Sequence, residues 1–292
     1  MQNNLVNKNF GTKNIITCDN VKICVGPKKR YEVLISNFNY SFEKGKVYAI
    51  IGNSGVGKTS LVSQISGLTK VRFGDIYIKD KSIFARNKKI KEYKAIRKYV
   101  GIVFQFPEYQ LFKDTVEKDI AFGPINYHVN KAQAMKLASK YMYLVGLDQR
   151  LLHKNPFDLS NGQKRLVAIA GVLALETDVI IFDEPTAGLD PSYQKKVCNI
   201  IKTLAKQGKT IIIITHNMDN VLELSDQVLV LDNKALVKTG TPYEIFNNNQ
   251  LINNIGLDLP HVVIEAKKNP NILAKQPRNI DELVSFLKKG GI

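Results

Sequence analysis

The chain has 292 residues, 44% of them hydrophobic, enough for one large or two small domains with a sizeable core. Its net charge of +16 suggests nucleic acid or an anionic membrane, but the basic residues are scattered; the denser stretch at 79–98 interleaves with no nucleic-acid motif, so the charge is read as composition with a modest membrane-surface contribution. Three cysteines without Cys-x-x-Cys spacing, four histidines without metal-ligand spacing, and no apolar run near the roughly 18 residues of a membrane span argue against a disulfide framework, structural zinc and an integral membrane protein.

In chain order, the N-terminus lacks the apolar core of a signal peptide, so any membrane role is expected from the cytoplasmic side, through a partner. Residues 15–45 and 71–84 read as strands joined by turns at Gly45-Lys46 and Gly74-Asp75, forming a small antiparallel sheet. Short β-branched runs at 47–51, 100–105, 179–183, 210–215 and 227–231 are almost continuously apolar. Such runs are expected in strands buried on both faces of a parallel sheet. Helical patterns at 59–67, 132–145, 163–176 and 192–207 lie between them, an α/β alternation. Residues 106–158 form a mostly helical insert. Thr241, Pro242 and Glu244 have the residue types of N-cap, N1 and N3 at a helix start, and 280–289 is amphipathic.

Three motifs carry chemistry. Gly52, Asn53, Ser54, Gly55, Val56, Gly57, Lys58 and Thr59 fit G-x-x-x-x-G-K-T between a strand and a helix that continues through Ser60. Backbone N–H groups and the helix N-terminus would cradle phosphates; Lys58 would reach the β- and γ-phosphates, and the Thr59 hydroxyl would ligate Mg²⁺. Asp183 and Glu184 end an apolar strand at the sheet's ligand-binding edge. Asp183 is expected in the Mg²⁺ shell, and Glu184 as the general base or orienter of the attacking water. Ser160, Asn161, Gly162 and Gln163 open a helix with a capping box, and such an N-terminus is also an anion site. His216 and Gln105 follow apolar runs at the same edge. His216 is expected to contact a γ-phosphate, and Gln105 to reach Mg²⁺ or the attacking water.

Together these residues resemble the ATPase domain of ABC proteins: P-loop 52–59, Q-loop Gln105, signature 159–163, Walker B 179–184, D-loop 187–190 and switch His216, across roughly 13–245. The resemblance implies an α/β P-loop NTPase with a RecA-like parallel sheet core, an antiparallel β subdomain and a helical signature subdomain at about 106–165. It divides the chain into a nucleotide-binding domain, 1–245, and a small C-terminal extension, 246–292, that holds two ATPases together. Ser160, Gly162 and Gln163 would complete the ATP site of a neighbour. Phe104 to Phe112, Asp119 to Pro124 and the run after Gln163 resemble the ATPase subunits of energy-coupling factor (ECF) transporters.

That narrower resemblance implies ATP and Mg²⁺ as cofactors and ATP hydrolysis that powers import of a vitamin or metal ion. The implied partners are a second ATPase, a transmembrane coupling subunit docking at the aromatic segment after Gln105, and a substrate-binding membrane subunit. No nucleic acid is expected, and the location implied is peripheral, on the cytoplasmic face of the cell membrane. The alternatives are a soluble ABC ATPase acting on nucleic acid or ribosomes, or the ATPase of another ABC transporter. Three departures stand out. Asn161 replaces the second signature glycine, which suggests tolerance of left-handed backbone there, inequivalent sites and hence a heterodimer. Leu166 replaces the family's second Arg. No aromatic falls in 21–25, where the adenine-stacking residue is expected, so base contact is aliphatic or comes from Tyr31.

Overall fold

The continuous apolar runs become the buried strands of a six-stranded sheet. In the computed structural model, which describes residues 13–27, 30–79, 81–82 and 97–289, they are β3 (Val47–Gly52), β6 (Val100–Val103), β7 (Val179–Asp183), β8 (Thr210–Ile214) and β9 (Gln227–Asp232). The order is β10-β9-β3-β8-β7-β6, with β10 (Ala235–Gly240) as an antiparallel edge and the other neighbouring pairs parallel. Pleating sends alternate residues of one run to opposite cores. Ile211 and Ile213 pack with the helical side, whereas Ile212 and Ile214 pack with the antiparallel side.

The antiparallel sheet has the order β2-β1-β4-β5, from β1 (Asn14–Val25), β2 (Glu32–Glu43), β4 (Phe73–Ile78) and β5 (Lys81–Ser82). Helix α1 (Lys58–Ile65) is held in the core between the two sheets: its Leu61, Val62 and Ile65 share one cluster with Ile16, Phe38, Phe42, Ile50 and Ile212. The P-loop helix is thereby fixed on a broad apolar surface. Most of the expected basic stretch at 79–98, and part of the strand segment at 71–84, lie outside the described residues.

The other face of the parallel sheet carries α2 (Val116–Asn126), α3 (Lys131–Leu144), α4 (Asn161–Leu173) and α5 (Pro191–Lys206). Sequence periodicity does not reveal α2, because Gly123 and Pro124 interrupt it; the helix survives because Pro124 sits in its last turn and Thr115 caps its start through Lys118 N. The edge strand β10 is also absent from the sequence reading. Half of its residues are exposed, and its hairpin turns on Asn233 and Lys234, both at positive φ (44° and 62°). Beyond α6 (Met218–Leu224), five short helices follow: α7 (Pro242–Phe246), α8 (Asn249–Ile255), α9 (His261–Ala266), α10 (Pro270–Leu273) and α11 (Ile280–Lys289). They bury Tyr243, Phe246, Ile255, Val263 and Leu283 in one cluster with Ala49, Val228 and Leu222. Arg278 is bonded to the Leu222 and Ser225 carbonyls, and Asp219 at the start of α6 pairs with His261 at 2.6 Å. The C-terminal helices thus share a core with the sheet. No described helix is long and apolar enough to cross a membrane.

Candidate active site

The P-loop's shape follows from its glycines. Gly52 has φ 143°, and a Cβ there would lie 2.1 Å from the Leu231 carbonyl oxygen, so β3 can approach β9 only with glycine. Gly57, at φ 104°, precedes α1, whose first turn has neither a side-chain cap nor an acidic residue. Its N–H groups keep the positive end of the helix available to an anion. Lys58 is buried, and its Nζ donates to the carbonyls of Gly52 at 2.7 Å and Asn53 at 2.9 Å. Burial lowers its pKa, opposed by the charges of Glu184 and then Asp183. The ammonium is therefore held at the loop with two carboxylates nearby.

The opposite wall is the carboxyl edge of β7 and β8. Asp183 is buried and accepts a hydrogen bond from the Thr59 side chain; burial raises its pKa, while Thr59, Lys58 and His216 oppose the rise. Glu184 leaves the strand at φ 49°, a left-handed conformation rare for its residue type. Its N–H donates to the Ile214 carbonyl at 2.9 Å. Its Oε1 lies 3.3 Å from His216 Nε2, and its Oε2 lies 3.4 Å from the His216 N–H. Burial raises the Glu184 pKa, opposed first by the charge of His216. His216 and Gln105 lie just past the ends of β8 and β6, in the loops.

One cleft of about 610 Å³ brings together Ser54, Gly55, Gly57, Lys58, Thr59, Ser60, Gln105, Asp183, Glu184 and His216. Gly52 and Asn53 meet it through the carbonyls that hold Lys58. Val56 does not line it and instead packs on the core between the sheets. The donor set suits a phosphate chain and a hard divalent cation: glycine-lined backbone, one ammonium, a hydroxyl and carboxylates. Among the described residues no group of three or more His, Cys, Asp or Glu is placed to hold a metal. A cation held through Thr59 and Asp183 would need phosphate or water oxygens to complete its shell, as Mg²⁺ commonly does.

The signature residues Ser160, Gly162 and Gln163 do not line this cleft. Ser160 caps α4 by accepting from Gln163 N at 3.3 Å, while Gln163 Oε1 accepts from Ser160 N at 3.0 Å, a complete capping box. Asn161 occupies the first position of α4 and is absent from the residues at positive φ. The left-handed backbone considered for it is therefore not needed, and the reason to expect a weakened turn there falls away. The steric demand rests on Gly162, whose Cβ would lie 2.6 Å from the Tyr193 ring. Asn161→Gly is expected to preserve turnover, whereas Gly162→Ala should destabilise the fold by about 1–3 kcal/mol through overpacking. Denaturant titration and an ATPase assay of both variants check this. A stable, active Gly162→Ala chain would show that Tyr193 yields.

A second cleft, about 830 Å³, shares Thr59 and Ser60 with the first and is lined by Val25, Gly26, Tyr31, Arg72 and Phe73. The Tyr31 and Phe73 rings stand 5.7 Å apart, and Lys22 Nζ lies 5.2 Å from the Phe73 ring centroid. Phe73 escapes the sequence reading because the pairing of β4 with β1, Phe73 opposite Lys22, brings it there from 42 residues beyond Tyr31.

The sequence pattern described as "ABC transporter" matches residues 35–187. The energy-coupling factor transporter ATP-binding protein EcfA2 of Mycoplasma pneumoniae is 48% identical over 281 residues, covering 94% of this chain and 93% of that protein. The EcfA2 of Mycoplasma capricolum is 42% identical and covers 94% and 97%. This chain belongs to the energy-coupling factor group of ABC transporter ATPases. The structure of cbiO1 from Clostridium perfringens, described as part of the ABC transporter complex cbiONQ, superposes with a TM-score of 0.72 at 32% identity, over 87% of this chain and 99% of that one. A dimeric bacterial ABC transporter cassette superposes with a TM-score of 0.69 at 25% identity, over 78% and 98%. The fold read from the alternating strands and helices is thus that of ABC ATPases, and ATP hydrolysis coupled to transport is the activity of this ECF-group chain.

Proposed function

We propose that this ATPase drives import of a vitamin or metal ion as one half of an ATP sandwich beneath membrane-embedded partners. The observation that carries the reading is a division of parts. One cleft gathers the P-loop, Asp183, Glu184, Gln105 and His216, while the signature helix starts elsewhere on the molecule. A γ-phosphate in this cleft therefore meets a signature helix only if a second chain supplies it. The dimeric solved cassette supports such a pairing.

ATP enters with its phosphates over Gly55, Gly57 and Lys58 and its base between the Tyr31 and Phe73 region and the start of α1. Mg²⁺, held through Thr59 and Asp183 with Gln105 nearby, would neutralise phosphate charge when bound. Glu184 accepts a proton from the attacking water, and His216 holds the Glu184 carboxylate and faces the γ-phosphate. Ser160, Gly162 and Gln163 of this chain complete the partner's site. The C-terminal extension, 246–292, keeps the two ATPases together through the cycle.

Movement passes to the membrane through the segment after Gln105. Pro107 and Leu111 are buried, but Tyr109 is 84% exposed, and Phe112 meets Phe122 edge to face at 4.8 Å on the surface. Such an apolar ridge suits an amphipathic coupling helix. The second ATPase is proposed to be a different chain, a reading that rests only on the departure of Asn161 from the usual signature glycine. Affinity purification of the full-length chain from membranes tests the assignment: a second ATPase chain and membrane-spanning chains should co-purify. Recovery with ribosomes or nucleic acid instead would sink it.

A further inference from the structure

Arg165, two residues into the signature helix beyond Gln163, is only 1% exposed. Its Nε and Nη2 grip Glu108 through both carboxylate oxygens, at 2.5 and 2.9 Å. Its Nη1 donates to the Pro185 carbonyl at 3.1 Å and its Nη2 to the Ala187 carbonyl at 3.2 Å. The guanidinium also lies 5.4 Å from the Phe106 ring centroid. A charge this deep is tolerated only when its donors are matched, and here the fork meets one carboxylate and two carbonyls.

One of these partners lines the reaction cleft, and the others follow cleft residues closely in sequence. Phe106 directly follows Gln105 and Glu108 lies three residues beyond it, Pro185 directly follows Glu184, and Ala187 lines the cleft itself. Phe106 sits at φ 53°, a backbone conformation that bulky residues rarely adopt and that surrounding contacts must hold. The D-loop is packed against it: a Cβ on Gly188, at φ 71°, would lie 3.3 Å from the Phe106 ring. One planar group therefore ties the Q-loop turn and the segment after Glu184 to α4, and the fixed geometry of its donors transmits displacement better than a single-point ammonium would.

We propose that Arg165 is a positioning residue that locks the Gln105 and Glu184 segments of its own cleft to the signature helix serving the partner's ATP, so that the two sites close together. The inference rests on the paired-ATPase reading. It is tested with the complex purified from membranes, carrying Glu184→Gln to block hydrolysis, by measuring ATP retained after rapid desalting and ATP affinity at equilibrium. Adding Arg165→Lys should lower retained ATP by roughly tenfold or more, as expected for loss of a buried charge-assisted fork. Equilibrium affinity should stay within roughly twofold, because the P-loop is untouched. Glu108→Gln, which leaves the arginine and its carbonyl bonds in place, should act in the same direction, and the double variant should be no worse than the more severe single one. Unchanged retention in both variants would overturn the proposal. So would a parallel fall in retention, affinity and melting temperature, the signature of a merely structural pair. If the complex carrying Glu184→Gln alone retains no ATP, the paired-ATPase reading itself fails, a result distinct from a loss confined to the Arg165 and Glu108 variants.

Discussion

Glu184→Gln lowers ATP turnover by about 100- to 10,000-fold, the range for removing a positioned general base, while ATP binding and ATP-driven association with a partner persist. The amide keeps the size of the carboxylate and cannot take the water's proton. It also replaces the charged partner of His216 at 3.3 Å by a neutral one. Because burial raises the Glu184 pKa, the active carboxylate form is lost at a higher pH than for an exposed glutamate. Turnover of the wild type should therefore fall as pH drops through that raised value, and the variant's residual turnover should lack this limb. Steady-state ATPase profiles of the assembled complex give both results. Turnover at the wild-type rate would show that another group activates the water.

Lys58→Ala lowers ATP affinity by at least about 100-fold, since each charge-assisted contact to a phosphate oxygen contributes about 1.5–3 kcal/mol and Lys58 is expected to make two. The same ammonium holds the Gly52 and Asn53 carbonyls at 2.7 and 2.9 Å, so its loss also loosens the loop. Calorimetry with ATP, paired with a melting curve, separates the two effects. A folded variant that binds ATP with unchanged affinity would refute the role given to Lys58.

Much of the molecule is legible without coordinates because its signals are local. The five parallel strands announce themselves as β-branched runs, since burial on both faces leaves no polar position to interrupt them. The P-loop is legible because only a run of glycines at that spacing can bend a strand into a helix around phosphate. The capping box at Ser160 and Gln163 spans four residues, so sequence alone displays it. α2 and β10 are hidden for opposite reasons: one carries a helix breaker near its end, and the other is an edge strand with half of its residues exposed and no continuous apolar run.

What the sequence alone determined is the inventory: a P-loop, a strand ending in two carboxylates, a switch histidine, a signature helix, and the ABC and ECF likeness these carry. Tertiary structure decided their distribution. It joined Lys58, Asp183, Glu184, Gln105 and His216 in one cleft across strands β3, β6, β7 and β8, and it left the signature helix outside. It placed the steric demand of the signature at Gly162, because Tyr193 of α5 packs against it. It also buried Arg165 among segments 20 and 57 residues away in sequence. The physical reason is the same in each case: contacts across the sheet and between helices depend on strand order and packing, and no local pattern of residues encodes either.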